Sequence, residues 1–132
     1  MRKLQIAILF LSLMFACSPD EELSTEELKI EINRLKEEIN QIIANSTGET
    51  SADCRTKYIA GGNSCGPILV YGIKNIDTVY LEDLFNQLSE RKTELFELEG
   101  GPVCMLLFPS KDSLINGICK PCFETDDGFR CD

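Results

Sequence analysis

Cysteine is the residue type whose number and placement could do chemistry in this chain of 132 residues. There are seven, at Cys17, Cys54, Cys65, Cys104, Cys119, Cys122 and Cys131, with no His and no Trp. Sulfur can be acylated, crosslinked, metallated or used as a nucleophile, and each use needs a different setting. The absence of His removes the Ser-His and Cys-His catalytic pairs and His-ligated zinc. Cys119-Lys120-Pro121-Cys122 has the C-x-x-C spacing shared by thiol oxidoreductases and zinc sites. A redox pair must open a long helix, whose N-terminus lowers the thiol pKa. Only ten residues follow Cys122, Gly128 among them, so no long helix can follow. A zinc site needs a second close pair, and Cys54 and Cys65 are too far apart. No metal and no cofactor are expected, and structural disulfides are the favoured use.

The first cysteine has its own context. Arg2 and Lys3 precede a run from Leu4 to Phe15 that only Gln5 and Ser12 interrupt. That run is too short to span the roughly 30 Å of a bilayer core as a helix. It has the form of a secretory signal peptide, residues 1–16. Ala16-Cys17 followed by Ser18-Pro19-Asp20-Glu21-Glu22 resembles a bacterial lipoprotein signal, in which the Cys becomes the acylated first residue. Removing one lipidated Cys from seven leaves six, which can pair fully. Residues 17–23 are then a lipid-anchored acidic linker, and two or more acyl chains such as palmitate hold it stably to a membrane. The acidic run also resembles the export tag of surface-exposed lipoproteins in the Bacteroidota; a plain solvated linker is the alternative. A net charge of −9 argues against nucleic-acid binding, which needs clustered Lys and Arg.

Behind these sites stand the elements that must position them. Thr25, Leu28, Ile32, Leu35, Ile39 and Ile42 step by three and four, an a/d seam on a helix over residues 24–45. Ser24 and Glu27 form a capping box. Glu31 at g and Lys36 at the next e suit an interchain pair. The helix therefore reads as a stalk, with homo-oligomerisation through residues 25–42 as a coiled coil. The alternative is that its stripe packs on the chain's own domain. Residues 46–53 form a linker.

Residues 54–132 form a cysteine-rich α+β domain, expected to run β-β-α-β-β. Its strands are Arg55–Ala60, Ile68–Ile73, Val103–Phe108 and Leu114–Cys119, and its helix runs from an Asp77 or Thr78 cap to Leu98. A right-handed crossover makes Ile68–Ile73 and Val103–Phe108 parallel. Cys65 and Cys104 then share one sheet edge, so Cys65–Cys104 is the favoured bridge. Cys54–Cys119 with Cys122–Cys131 is the simplest completion among 15 connectivities. Cys54, Cys65-Gly66-Pro67 leading into Ile68-Leu69-Val70-Tyr71, Cys104 and Gly117-Ile118-Cys119 resemble the layout of small cysteine-containing lipoproteins of the Bacteroidota. That family typically carries Cys-Gly-Gly-Pro before its strand, where this chain has one Gly. The resemblance implies the fold and the location, and no catalytic residue.

Other candidates carry less. Glu124, Asp126, Asp127 and Asp132 lack the alternation of a calcium loop and read as a solvated tail. Gly61-Gly62-Asn63-Ser64, continuing to Pro67, is a braced loop of the kind small protease inhibitors use; a plain turn with glycines at positive φ is the alternative. Tyr71 and Tyr80 suit either a partner surface or the core. The expectation is an exported, lipid-anchored, non-enzymatic protein of the bacterial cell envelope, with a domain that binds an unknown protein or envelope component. The alternatives are a protease-inhibitor-like module acting through the Gly61–Pro67 loop, and a thiol oxidoreductase using Cys119 and Cys122.

Overall fold

The computed structural model describes residues 23–61, 66–101, 109 and 111–131. Cys17, Gly62, Asn63, Ser64, Cys65 and Cys104 lie outside the described residues, as do the expected strand Val103–Phe108, its parallel pairing and the Cys65–Cys104 bridge. Helix α1 spans Thr25–Ala44. Its first turn is closed by the expected box: Glu27 N–H donates to Ser24 Oγ at 3.3 Å, and Ser24 N–H donates to Glu27 Oε2 at 2.9 Å. A 3₁₀ turn at Ser51–Asp53 leads into β1, Cys54–Tyr58. Strand β2, Ile68–Gly72, returns antiparallel to β1 in a register from Cys54 opposite Gly72 to Tyr58 opposite Ile68. Helix α2 spans Thr78–Glu99. Asp77 caps it by accepting from Val79 N–H and Tyr80 N–H at 3.0 Å each. It stops at Gly100, whose φ of 71° suits a residue without a Cβ.

The two helices run antiparallel. Lys29, near the start of α1, pairs with Glu99, at the end of α2, at 2.6 Å. Tyr80, at the start of α2, donates its hydroxyl to Glu38 on α1. Between them the stripe of α1 closes: Leu28, Ile32, Leu35 and Ile39 are 0–5% exposed. Ile32, Leu35 and Ile39 share one core with Ile59, Tyr71, Leu81, Leu84, Phe85 and Leu88. The seam therefore takes the intramolecular of its two alternatives. Each fully buried Leu or Ile is worth roughly 1.5–3 kcal/mol, so freeing α1 as a rod forfeits several kcal/mol. Glu31, expected to reach a second chain, pairs instead with Arg34 on its own helix at 2.7 Å.

The C-terminal part differs from the single return strand expected at Leu114–Cys119. That segment is a hairpin: β3, Lys111–Ile115, turns at Asn116 and Gly117 into β4, Ile118–Thr125. Both turn residues have positive φ, 53° and 78°. A two-residue turn of that hand matches the twist of the flanking strands, and Asn-Gly is its preferred sequence. A further strand, β5, Gly128–Cys131, completes an antiparallel meander in the order β3-β4-β5. Of the acidic residues expected in a loose tail, Glu124 lies in β4 and Asp126 and Asp127 form the β4–β5 turn, while Asp132 lies outside the described residues. The expected order β-β-α thus continues, among the described residues, into three strands.

The connector between α1 and β1 crosses the end of the first hairpin. Thr47 forms an isolated bridge with Lys74, and Gly72 N–H donates to Ser46 Oγ at 3.2 Å. A Cβ on Gly72 would sit 2.0 Å from the Thr47 carbonyl oxygen, so only glycine permits this crossing. Gly48 N–H donates to the Gly117 carbonyl at 3.0 Å, which ties the connector to the β3–β4 turn as well.

Candidate binding surface at the base of the glycine loop

Strand register decides what the C-x-x-C motif can do. Cys119 and Cys122 are three residues apart on β4, and odd spacings point to opposite faces of a strand. Cys119 is bonded to Cys54 and ties the meander to the first hairpin. Cys122 is bonded to Cys131, its direct neighbour across the β4–β5 ladder. Neither sulfur is bonded to the other, so the motif serves two separate crosslinks. These are two of the three bridges the sequence suggested. Among the described residues, no group of His, Cys, Asp and Glu could hold a metal ion.

The other candidate, the Gly61–Pro67 loop, is described at its base. Ile59 N–H donates to the Pro67 carbonyl at 3.3 Å, one step beyond the last β1–β2 pair. Helix α2 grips the same base from behind. Ser89 donates its hydroxyl to the Ala60 carbonyl, and Lys92 donates Nζ to the Ile59 carbonyl at 3.3 Å. Lys92 is only 9% exposed. It lies on the buried side of α2 with Leu81, Leu84, Phe85 and Leu88. Its aliphatic stem packs under the loop, while its amine reaches a carbonyl that would otherwise lose its water.

The glycines here answer to close approach. A Cβ on Gly61 would stand 2.2 Å from Lys92 Cβ, and one on Gly66 would stand 1.7 Å from the Ile59 carbonyl oxygen. Positive φ, the expected reason for glycine in this loop, occurs at Gly100, Gly117 and Gly128 among the described glycines. Burial pushes the Lys92 amine below its ordinary pKa, and the like charge of Lys36 on α1 adds to the fall.

In front of the loop base, Lys36 and Asn40 of α1 and Pro67 and Leu69 of the β2 segment border an open depression of about 260 Å³. None of the four is acidic. Lys92 lies close behind: a Cβ on Gly66, beside Pro67, would be 3.2 Å from Lys92 Nζ. Asn40 did not stand out in the sequence, and Lys36 did so only as an e position facing a second chain, because nothing in a heptad pattern says which exposed positions will face a strand.

The two tyrosines separate. Tyr71 is 8% exposed and tilts against Phe85 with ring centroids 5.7 Å apart. Tyr80 is 44% exposed and belongs to the α1–α2 contact through Glu38. That hydrogen bond raises the Tyr80 pKa, since ionisation would set two negative oxygens against each other.

No protein-family model, no curated protein and no solved structure matches this chain.

Proposed function

We propose that this chain is an exported, lipid-anchored, non-enzymatic protein of the bacterial cell envelope whose domain binds a protein or envelope component. The observation that carries the reading is the pair of bridges Cys54–Cys119 and Cys122–Cys131. Such crosslinks persist in oxidising compartments and are reduced in the cytosol. They agree with the secretory pattern of residues 1–16, and with Cys65 paired to Cys104 they would leave Cys17 as the odd cysteine, at the position where a lipoprotein is acylated. The likeness to small cysteine-containing lipoproteins of the Bacteroidota points the same way. Support for a non-catalytic role comes from Cys119 and Cys122, which sit on opposite faces of one strand and serve different partners.

The packing of α1 modifies the geometry of this reading. The helix lies against the domain, so only residues 18–23 separate the anchor from the fold. Six extended residues reach about 20 Å, which keeps the domain close to the membrane surface. Self-association stays a proposal as well, and it would have to use a face other than the buried stripe.

A protease-inhibitor-like role for the Gly61–Pro67 loop has one specific support. Ser89 and Lys92 fix its base, which lowers the ordering cost of binding. Stoichiometric inhibition of a protease panel, relieved by Asn63 or Ser64 substitution, is its test.

Intact mass spectrometry of the membrane-extracted protein tests the leading reading. The expected product begins at Cys17, carries acyl chains and has lost six thiol hydrogens. An unacylated chain with titratable thiols overturns it.

A further inference from the structure

We propose that the depression between α1 and β2 binds a small carboxylate with an aliphatic body, held by Lys36 and Asn40 against Pro67 and Leu69. The inference deepens the binding-module reading above and does not need the lipid anchor.

Charge argues for an anion. The chain carries 22 acidic and 13 basic residues, yet the four described residues that border this depression include a lysine and no acid. A second lysine, Lys92, stands close behind Gly66, near enough for the Lys36 charge to act on it. Two ammonium groups in one neighbourhood repel, and an incoming anion relieves that repulsion. The spot is thus a basic point on an acidic molecule, which draws anions to it selectively.

The lining argues for a carboxylate in place of a phosphate. Phosphate sites gather several backbone N–H groups or an Arg fork. Here, among the described residues, the side-chain donors are one ammonium and one amide, which together match the two oxygens of a carboxylate. Pro67 and Leu69 give the remaining wall an apolar character, which suits an aliphatic group beside the charge. The volume of about 260 Å³ lies below the usual range for a drug-sized ligand and fits one residue-sized body. Two sources have this chemistry: a free small acid, such as an N-acylated amino acid, and the C-terminal residue of a peptide.

The test is a ¹H–¹⁵N NMR titration of the full mature chain in detergent with N-acetyl-leucine. Saturable shifts are expected at Lys36, Asn40 and Leu69, with N-acetyl-leucinamide, which lacks the charge, at least tenfold weaker. Lys36→Glu should abolish the response while leaving the spectrum otherwise dispersed, because Lys36 is exposed; Lys120→Glu should leave binding unchanged. A peptide ending in free Leu that binds tighter than N-acetyl-leucine assigns the site to chain termini, and equal binding assigns it to the small acid. No saturable shift up to about 10 mM, tenfold above a millimolar Kd, overturns the inference. So does equal binding of the amide, or binding that survives Lys36→Glu. Acylation is scored by mass on the same sample. An acylated chain that ignores N-acetyl-leucine therefore sinks this inference and leaves the anchored reading standing.

Discussion

On one side of the molecule, Leu28, Ile32, Leu35 and Ile39 of α1 close with Leu81, Leu84, Phe85 and Leu88 of α2 over the first hairpin, every one of them at most 5% exposed. On the other side, among the described residues of β3, β4 and β5, the buried ones are Cys119 and Cys122. Ile115, Ile118 and Phe129 of that meander are 37–54% exposed. The helical half is held by apolar area removed from water, and the sheet half by sulfur. A small sheet that cannot bury enough surface needs crosslinks to offset its ordering entropy. The bridge Cys54–Cys119 joins the two halves, so the poorly buried part is fastened to the well-buried part.

That contrast can be broken in graded ways. Replacing Cys54 and Cys119 together by Ala should have the largest effect. A bridge across a sequence separation of 65 is worth about 4 kcal/mol by loop-closure entropy. Urea unfolding under oxidising conditions measures it, and a loss below 1 kcal/mol would mean that the meander stands without its fastening. Leu35→Ala should cost about 3 kcal/mol, since Leu35 is 0% exposed and its removal leaves a cavity. Ile30→Ala on the same helix should cost under about 0.5 kcal/mol, because Ile30 is 63% exposed. Equal costs at the two positions would show that α1 is undocked.

Removing the Cys122–Cys131 bridge, with a separation of 9, should cost about 2.5 kcal/mol. The damage should stay local, with hydrogen exchange accelerating in β4 and β5 and unchanged in α2. Ser24→Ala should cost about 1 kcal/mol through its capping box, read as a lowered melting temperature.

The smallest effect is a pH dependence. Burial depresses the Lys92 pKa, so between that lowered value and the ordinary lysine value of about 10.4 the unfolded chain binds more protons than the folded one. Stability from this group therefore rises with pH across that window. Tyr71, raised by burial, contributes the opposite slope, so wild type is compared with Lys92→Met. The wild type should gain on the variant as pH rises toward 10. A constant difference would mean that Lys92 is better solvated than its burial implies.

Much of the helical half was legible beforehand. The expected helix over 24–45 is observed at Thr25–Ala44, and the strand Ile68–Ile73 at Ile68–Gly72. Apolar periodicity and capping chemistry are local signals, and both act here without conflict. The meander was less legible. Asn116-Gly117 carried a strong hairpin signal, but it lay inside a run that also reads as one continuous strand. Nothing local marks Lys92 for burial, because a charged residue on a helix is ordinarily exposed, and only the loop packed over it supplies a carbonyl for its amine. The crowding of Gly61 was not legible either, since what stands against it is Lys92 of α2, distant in sequence.

By itself the sequence determined where the helices begin and end, that α1 has an apolar stripe, and that six cysteines remain to pair once Cys17 is set aside. A repeat of three and four residues defines a sticky face without saying which surface will cover it. Only the tertiary structure decided that α2 of the same chain does so. It decided the partners of Cys119 and Cys122 for a related reason: alternate residues of a strand face opposite ways, and what stands on each side is settled by the packing of sheets, not by the spacing of residues.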